Sequence, residues 1–294
     1  MNKKVTIGGS EIAAVMGLSR WQSPLRLWAE KTGKVEREDI SGKEYVELGT
    51  ELEDFVAQKF ARKTGKKVRR DRKTFKYRLY SYMTGHIDRR IVGTDELLEC
   101  KTCNAWKEHE WEGEDIPMEY ILQVMWYLGV CGMSKGYIAV LIGGQKFRWK
   151  EIVFDIDLFA KMVAAAKEFV EYYVQKDIAP IAVAGDGETL MKLTPENTAS
   201  ILQSEDPEVN TLIEEKQACA RIIKEAEKNK DDIDSKLKQR IGDHEGIETG
   251  LFKATWKSQS TRRISTAKIK EDGLYDKYAV ESFSRVLRIA KKKG

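Results

Sequence analysis

Two short stretches of the sequence carry residues that could do chemistry together. The first is Gly85-His86-Ile87-Asp88; eleven residues after Asp88 comes Glu99-Cys100-Lys101. Alternate residues of a strand share a face, so Glu99 and Lys101 point one way and Cys100 the other. With Asp88 at the end of a preceding antiparallel strand, two carboxylates and one ammonium meet. Such a pair suits a hard divalent cation such as Mg²⁺, which takes oxygen ligands in octahedral geometry and leaves positions for water and phosphate oxygens. The chemistry would be metal-assisted hydrolysis of a phosphate ester. The metal generates the attacking water and offsets charge on the pentavalent phosphate, while the lysine orients or deprotonates that water. Glu53, one helix earlier, could add a third carboxylate; its ordinary alternative is an exposed helical acid.

The elements around these residues must hold them in register. Residues 68–77, 82–92 and 96–102 alternate as strands do, with Gly93-Thr94-Asp95 as a turn, and predict an antiparallel meander. An apolar helix at 120–130 bears Gln123 and Tyr127. Strands at 137–142 and 147–154 follow, joined by Gly143-Gly144-Gln145. Upstream, Ser10 caps one short helix and Ser23-Pro24 opens a second. A third helix spans 41–64 and stops at Gly65, and a helix at 158–175 closes the set. The order predicts an α/β fold with one central mixed sheet flanked by helices. Past Pro180 the composition shifts, and 182–207 reads as linker. Residues 208–240 predict a long helix with Leu212, Cys219, Ala226 and Ile233 seven apart. Lys216 and Lys230 interrupt its second line, which favours a helical hairpin or docked arm over a free parallel coiled coil. A short β element at 250–257 and a basic end (Arg285, Arg288, Lys291 to Lys293) finish the chain. The division is therefore 1–190 and a C-terminal helical arm at 191–294.

Charge narrows the partner. Over 294 residues the chain holds 51 Lys and Arg against 47 Asp and Glu, a net charge of only +4. Yet ten of those bases, and one acid, fall within residues 62–78. Arg69, Arg70, Arg72 and Lys73 in that run could track a phosphate backbone, although a solvated edge strand is an equal alternative. The 41% hydrophobic content excludes wholesale disorder. No apolar run approaches the ~20 residues of a membrane span, and residues 1–9 lack the core of a secretory signal, so a cytoplasmic location is expected. Four cysteines point to reduced thiols, and Cys100 with Cys103 lacks the further ligands of a zinc or iron-sulfur site. His86 could line the cleft. Trp106 and Trp111 could stack on bases but sit among Glu108, Glu110, Glu112, Glu114 and Asp115, and Trp126 reads as core.

Five segments in order make the sequence recognisable: Ile7-Gly8-Gly9-Ser10-Glu11-Ile12, Gly49-Thr50-Glu51-Leu52-Glu53, Gly85-His86-Ile87-Asp88, Leu98-Glu99-Cys100-Lys101-Thr102, and the helix from Tyr120 to Tyr127. Across roughly residues 7–173 the chain resembles the YqaJ viral recombinase family, relatives of phage lambda exonuclease within the PD-(D/E)XK nucleases. The resemblance implies a restriction-endonuclease-like core and a Mg²⁺-dependent (alternatively Mn²⁺-dependent) exonuclease, with two ions, that degrades one strand of duplex DNA from the 5′ side. By it, Asp88, Glu99 and the Cys100 carbonyl ligate metal, Glu53 serves a second ion, Lys101 serves the water, and Gln123 orients the site. Ser10 would lie near the terminal phosphate of the DNA, where Gly8 and Gly9 amides could approach an anion, an ordinary N-cap being the alternative. Where relatives carry an upstream arginine, this chain has Lys3 and Lys4, with Arg20 as a substitute; Tyr127 falls on the DNA side. The partners implied are double-stranded DNA ends, a single-strand annealing protein, and further copies in a homo-oligomer, for which a trimeric ring is one form. An endonuclease, or a non-catalytic DNA-binding assembly factor on the same fold, are the alternative readings.

Overall fold

The computed structural model describes residues 5–198, 200–281 and 285–290; Lys3, Lys4 and the lysines at 291–293 lie outside the described residues. Three helices come first: α1 (Gly9–Val15), α2 (Pro24–Lys31) and α3 (Glu44–Thr64). Local chemistry sets their ends. Ser23 Oγ accepts from the Arg26 amide at 3.0 Å with Pro24 in the first turn, and Gly65 ends α3 at φ 73°, a conformation that glycine adopts without strain. Ser10 does not cap α1. Gly8 holds that place, because the Glu11 carboxylate accepts the Gly8 amide at 3.1 Å.

The strands β1 (Val68–Arg70), β2 (Phe75–Lys76), β3 (Thr84–Gly85), β4 (Arg89–Ile91) and β5 (Glu96–Cys103) follow. A 3₁₀ segment, Ala105–Trp111, then leads to α4 (Met118–Cys131), β6 (Lys135–Ile142), β7 (Lys146–Val153), α5 (Ile156–Glu168) and α6 (Gly187–Leu193). α5 continues into a π turn at Phe169–Val174. The five-stranded sheet has the order β1-β4-β5-β6-β7; β5 and β6 are parallel and the other pairs antiparallel. A parallel pair needs a crossover, and α4 supplies it. The expected mixed sheet flanked by helices is therefore present, but the expected meander is not continuous. β2 and β3 form a separate ribbon, and the chain leaves strand geometry at 86–88, so Asp88 precedes β4. The reason is local: Asp88 Oδ2 accepts the Cys100 amide at 2.8 Å, where a strand carbonyl would otherwise pair.

Burial divides the core along the sheet. One face joins Val56, Ala57 and Phe60 of α3 to Ile91, Leu98, Ala139 and Leu141. The other joins Leu97, Ile138 and Val140 to Leu122 and Trp126 of α4, with α1, α2 and α5 around them. β6 is buried on both faces, as a central strand must be.

By its internal contacts the chain forms two units, Met1–Glu196 and Asn197–Gly294. The second holds α7 (Pro207–Ile241), a hairpin of β8 (Gly246–Glu248) and β9 (Lys253–Thr255), then α8 (Thr266–Glu271) and α9 (Tyr275–Tyr278). α7 runs unbroken for 35 residues rather than folding back as a helical hairpin. Among the described residues no helix is long and apolar enough to cross a membrane.

Candidate active site

The alternation of β5 decides what meets at its centre. Leu97, Glu99 and Lys101 face α4, whereas Leu98 and Cys100 face α3, in keeping with the core residues on each side. Lys101 Nζ donates to Glu99 Oε1 at 2.7 Å and lies 5.2 Å from the centre of the Tyr120 ring. From α4, Gln123 Nε2 donates to the same Glu99 oxygen at 2.8 Å and to the Tyr127 hydroxyl at 3.1 Å. Tyr127 in turn packs on Gly9, where an added Cβ would come within 2.4 Å of its ring. The absence of a side chain at Gly9 thus lets α1 buttress the column Tyr127–Gln123–Glu99.

The electrostatics of this cluster are incomplete. Glu99 is 3% exposed; Oε1 has two donors, but its buried Oε2 has no hydrogen-bond partner. Burial, then the Glu99 charge, pushes Asp88 up to about 8, with Lys101 and the Cys100 amide opposing only in part. Burial pulls Lys101 down, yet the Glu99 and Asp88 carboxylates outweigh it and leave its pKa above the ordinary value. Two carboxyl groups share one ammonium, so Asp88 holds its proton up to about pH 8 instead of standing as a second anion, beside a Glu99 oxygen that lacks a donor. The chemistry of this donor set, two carboxyl groups with one buried oxygen lacking a donor, fits a divalent cation. The Cys100 thiol, pushed up by burial, faces the α3 core and is no ligand. Among the described residues no three His, Cys, Asp or Glu side chains are grouped to hold a metal ion.

Glu53 stands in a separate set of contacts. Its Oε1 is bonded to Arg89 Nη1 and lies 3.7 Å from Arg70 Nη2, so the carboxylate is spent on guanidinium groups. Arg89 is the residue that the sequence reading missed. It is 2% exposed, and it also donates to Asp54 Oδ1 at 3.2 Å and to the Asp88 carbonyl at 2.8 Å. Arg89 alternates with the buried Ile91 and pairs with the buried Leu98, so its side chain enters the α3 side of the sheet.

The residues expected at DNA separate into two groups. Arg69, Arg70, Arg72 and Lys73 are exposed, the first two on the edge strand β1. Ser10, Arg20 and Tyr127 are in other circumstances. Ser10 is exposed in the first turn of α1, but the neighbouring amide of Gly8 is already taken by Glu11, which Lys31 neutralises at 2.8 Å. The Arg20 guanidinium is held by Glu119 at 2.6 Å and by Glu110 at 2.6 and 3.0 Å, and would have to leave these acids to take a phosphate. Tyr127 is 6% exposed and supports Gln123, which removes it from the DNA surface. Two acids of the segment after β5 are likewise paired, Glu110 with Arg20 and Glu108 with Lys146 and Arg148. Trp111 and Trp126 are buried, and Trp106 is 82% exposed. His86 is exposed, and the cysteines are free thiols.

Comparison with known proteins gives the family and the fold. Residues 2–134 match the family model described as the YqaJ-like viral recombinase domain. The protein YqaJ of Bacillus subtilis (strain 168), itself uncharacterized, is 36% identical over 297 residues, covering 97% of this chain and 91% of that relative. In structure, the chain is similar to the alkaline exonuclease LHK-Exo from Laribacter hongkongensis, with TM-score 0.51, 18% identity and coverage of 59% of this chain and 89% of that one. LHK-Exo in complex with dAMP gives TM-score 0.50, 20% identity and coverage of 64% and 92%. The shared fold is the α/β core with a central mixed sheet flanked by helices.

Proposed function

Because the chain belongs to the YqaJ-like viral recombinase family, we propose that it is a divalent-metal-dependent DNA exonuclease of phage-type recombination. It would hydrolyse one strand of duplex DNA from the 5′ side and leave a 3′ single strand for an annealing protein. The observation that carries this reading is the buried, partnerless Glu99 Oε2 beside a second carboxylate whose pKa is raised to about 8. Asp88, Glu99 and the Cys100 carbonyl would hold Mg²⁺, for which Mn²⁺ could substitute. Bound there, the ion would supply an acidified water and charge neutralisation at the scissile phosphate.

The chain's own residues supply the rest. The Glu99 and Asp88 carboxyl groups favour the ammonium form of Lys101, which suits it to hold the water or a phosphate oxygen as a donor. Gln123, fixed by Tyr127, locks the Glu99 rotamer, so that carboxylate has no freedom to turn away. A second ion through Glu53 would require that carboxylate to leave Arg89. The exposed bases of β1 and the following turn would take the backbone of the duplex.

Blunt linear duplex and covalently closed circles, each incubated with Mg²⁺ and with EDTA, test this function. Linear DNA should be degraded only with Mg²⁺, a 5′ label should be released before a 3′ label, and circles should survive. Cutting of circles would make the protein an endonuclease. Retained binding without metal-dependent cleavage of either substrate would overturn both enzymatic readings.

A further inference from the structure

Among the described residues of its own unit, little packs on the long helix α7. Of its 35 residues only Ile241 is buried, and Leu212, Ile223 and Ile233 are each 57% exposed. Helices in proteins draw most of their stability from packing an apolar face, and this face lacks that packing. Its residues recur in alternating steps of four and three: Leu212, Lys216, Cys219, Ile223, then Ala226, Lys230, Ile233, Leu237. That is the spacing of a two-stranded seam, with two lysines in it.

The lysines and the end charges decide what can cover the seam. In a parallel pair of copies, Lys216 would face Lys216 and Lys230 would face Lys230. The acidic start of the helix (Glu208, Glu214, Glu215) and its basic end (Lys236, Lys238, Arg240) would likewise each meet their own sign. In an antiparallel pair, one register removes every one of these clashes. Leu212 then lies on Leu237, Ile223 on Ala226, Lys216 on Ile233 and Cys219 on Lys230. The acidic start of each copy meets the basic end of the other. The lysine stems cover their apolar partners while the ammonium groups stay in water, and Lys216 comes beside Asp232 and Asp234. Those acids now make exposed pairs within the helix, Asp232 with Lys236 at 2.6 Å and Asp234 with Lys230 at 3.7 Å, contacts cheap to exchange.

We infer that α7 is a self-association face, on which a second copy of this chain docks its own α7 antiparallel. The seam belongs to the second unit and does not depend on the proposed nuclease activity.

The test uses the full chain. Sedimentation at micromolar concentration should give an even multiple of the chain mass, and Leu212→Glu with Leu237→Glu should halve it. Digestion of linear duplex and helical circular dichroism should stay unchanged. A mass that the double substitution does not alter overturns the inference, including the case in which the same variant instead loses DNA or another protein. Orientation has its own readout. Antiparallel pairing holds Cys219 and its copy roughly 16 Å apart along the axis, so mild oxidation should not join chains there. In a Cys219→Ser background, chains with Ile223→Cys should crosslink to chains with Ala226→Cys. Ready formation of a Cys219 to Cys219 disulfide would refute the antiparallel arrangement.

Discussion

On the α3 side of the sheet, the buried guanidinium of Arg89 meets Glu53 and Asp54 and donates to the Asp88 carbonyl. On the α4 side, Glu99 and Lys101, with Asp88 beside them, leave two carboxyl groups against one ammonium and a buried Glu99 oxygen without a donor. The first cluster closes on itself and the second does not. Buried charge is costly unless it is paired, so the closed cluster reads as structure and the open one as a place for a ligand of positive charge. The same contrast explains why Glu53, a carboxylate within one helix of the site, does not behave as its neighbours do.

The contrast can be broken in descending order of effect. Removing the carboxylate at the open cluster, by Glu99→Ala, should lower cleavage of linear duplex by about 10³-fold, roughly 4 kcal/mol, with duplex binding retained in a gel-shift assay. If Glu99→Ala left activity intact, the open cluster would be no catalytic site. At the closed cluster, Arg89→Met should act first on folding. Leaving Glu53 beside an apolar side chain should cost about 3 kcal/mol in urea unfolding, and adding Glu53→Gln should restore part of that loss.

A gentler probe is pH. Asp88 titrates near 8 in the metal-free fold and in the ordinary carboxylate range when unfolded. Between about pH 4 and 8 the folded state therefore binds more protons, and stability should fall as pH rises across that window. Mg²⁺ competes with the proton on Asp88, so urea midpoints measured with the ion should lose that slope and activity should rise toward pH 8. A slope that Mg²⁺ does not alter would separate Asp88 from the metal. Gln123→Leu should lower kcat about tenfold, near 1.4 kcal/mol, with little change in KM, because it frees the Glu99 side chain without removing a ligand. The smallest effect belongs to Arg69→Gln and Arg72→Gln. Each should flatten the salt dependence of duplex binding by about one unit of slope and leave kcat alone.

Much of the open cluster was legible before any coordinates. Period two along β5 put Glu99 and Lys101 on one face and Cys100 on the other, and the family resemblance pointed to Gln123. The caps at Ser23 and Gly65 were readable for the same reason, since they depend on residues within one turn. The closed cluster was not legible. Glu53 and Arg89 lie 36 residues apart, and Arg20 and Glu119 lie 99 apart. No local pattern distinguishes an acid that meets a metal from one that meets a guanidinium.

Sequence alone therefore determined the types of the longer elements, the face on which each chemical residue of β5 points, and the stripe along α7, because all three follow from backbone periodicity. Tertiary structure decided which charges are satisfied. It turned Glu53 onto Arg89, closed Arg20 between two carboxylates, buried Tyr127 against Gly9 and left Glu99 Oε2 without a donor. Those outcomes depend on distances between residues far apart in the chain and on how much water reaches them, and neither quantity is written in the local order of residues.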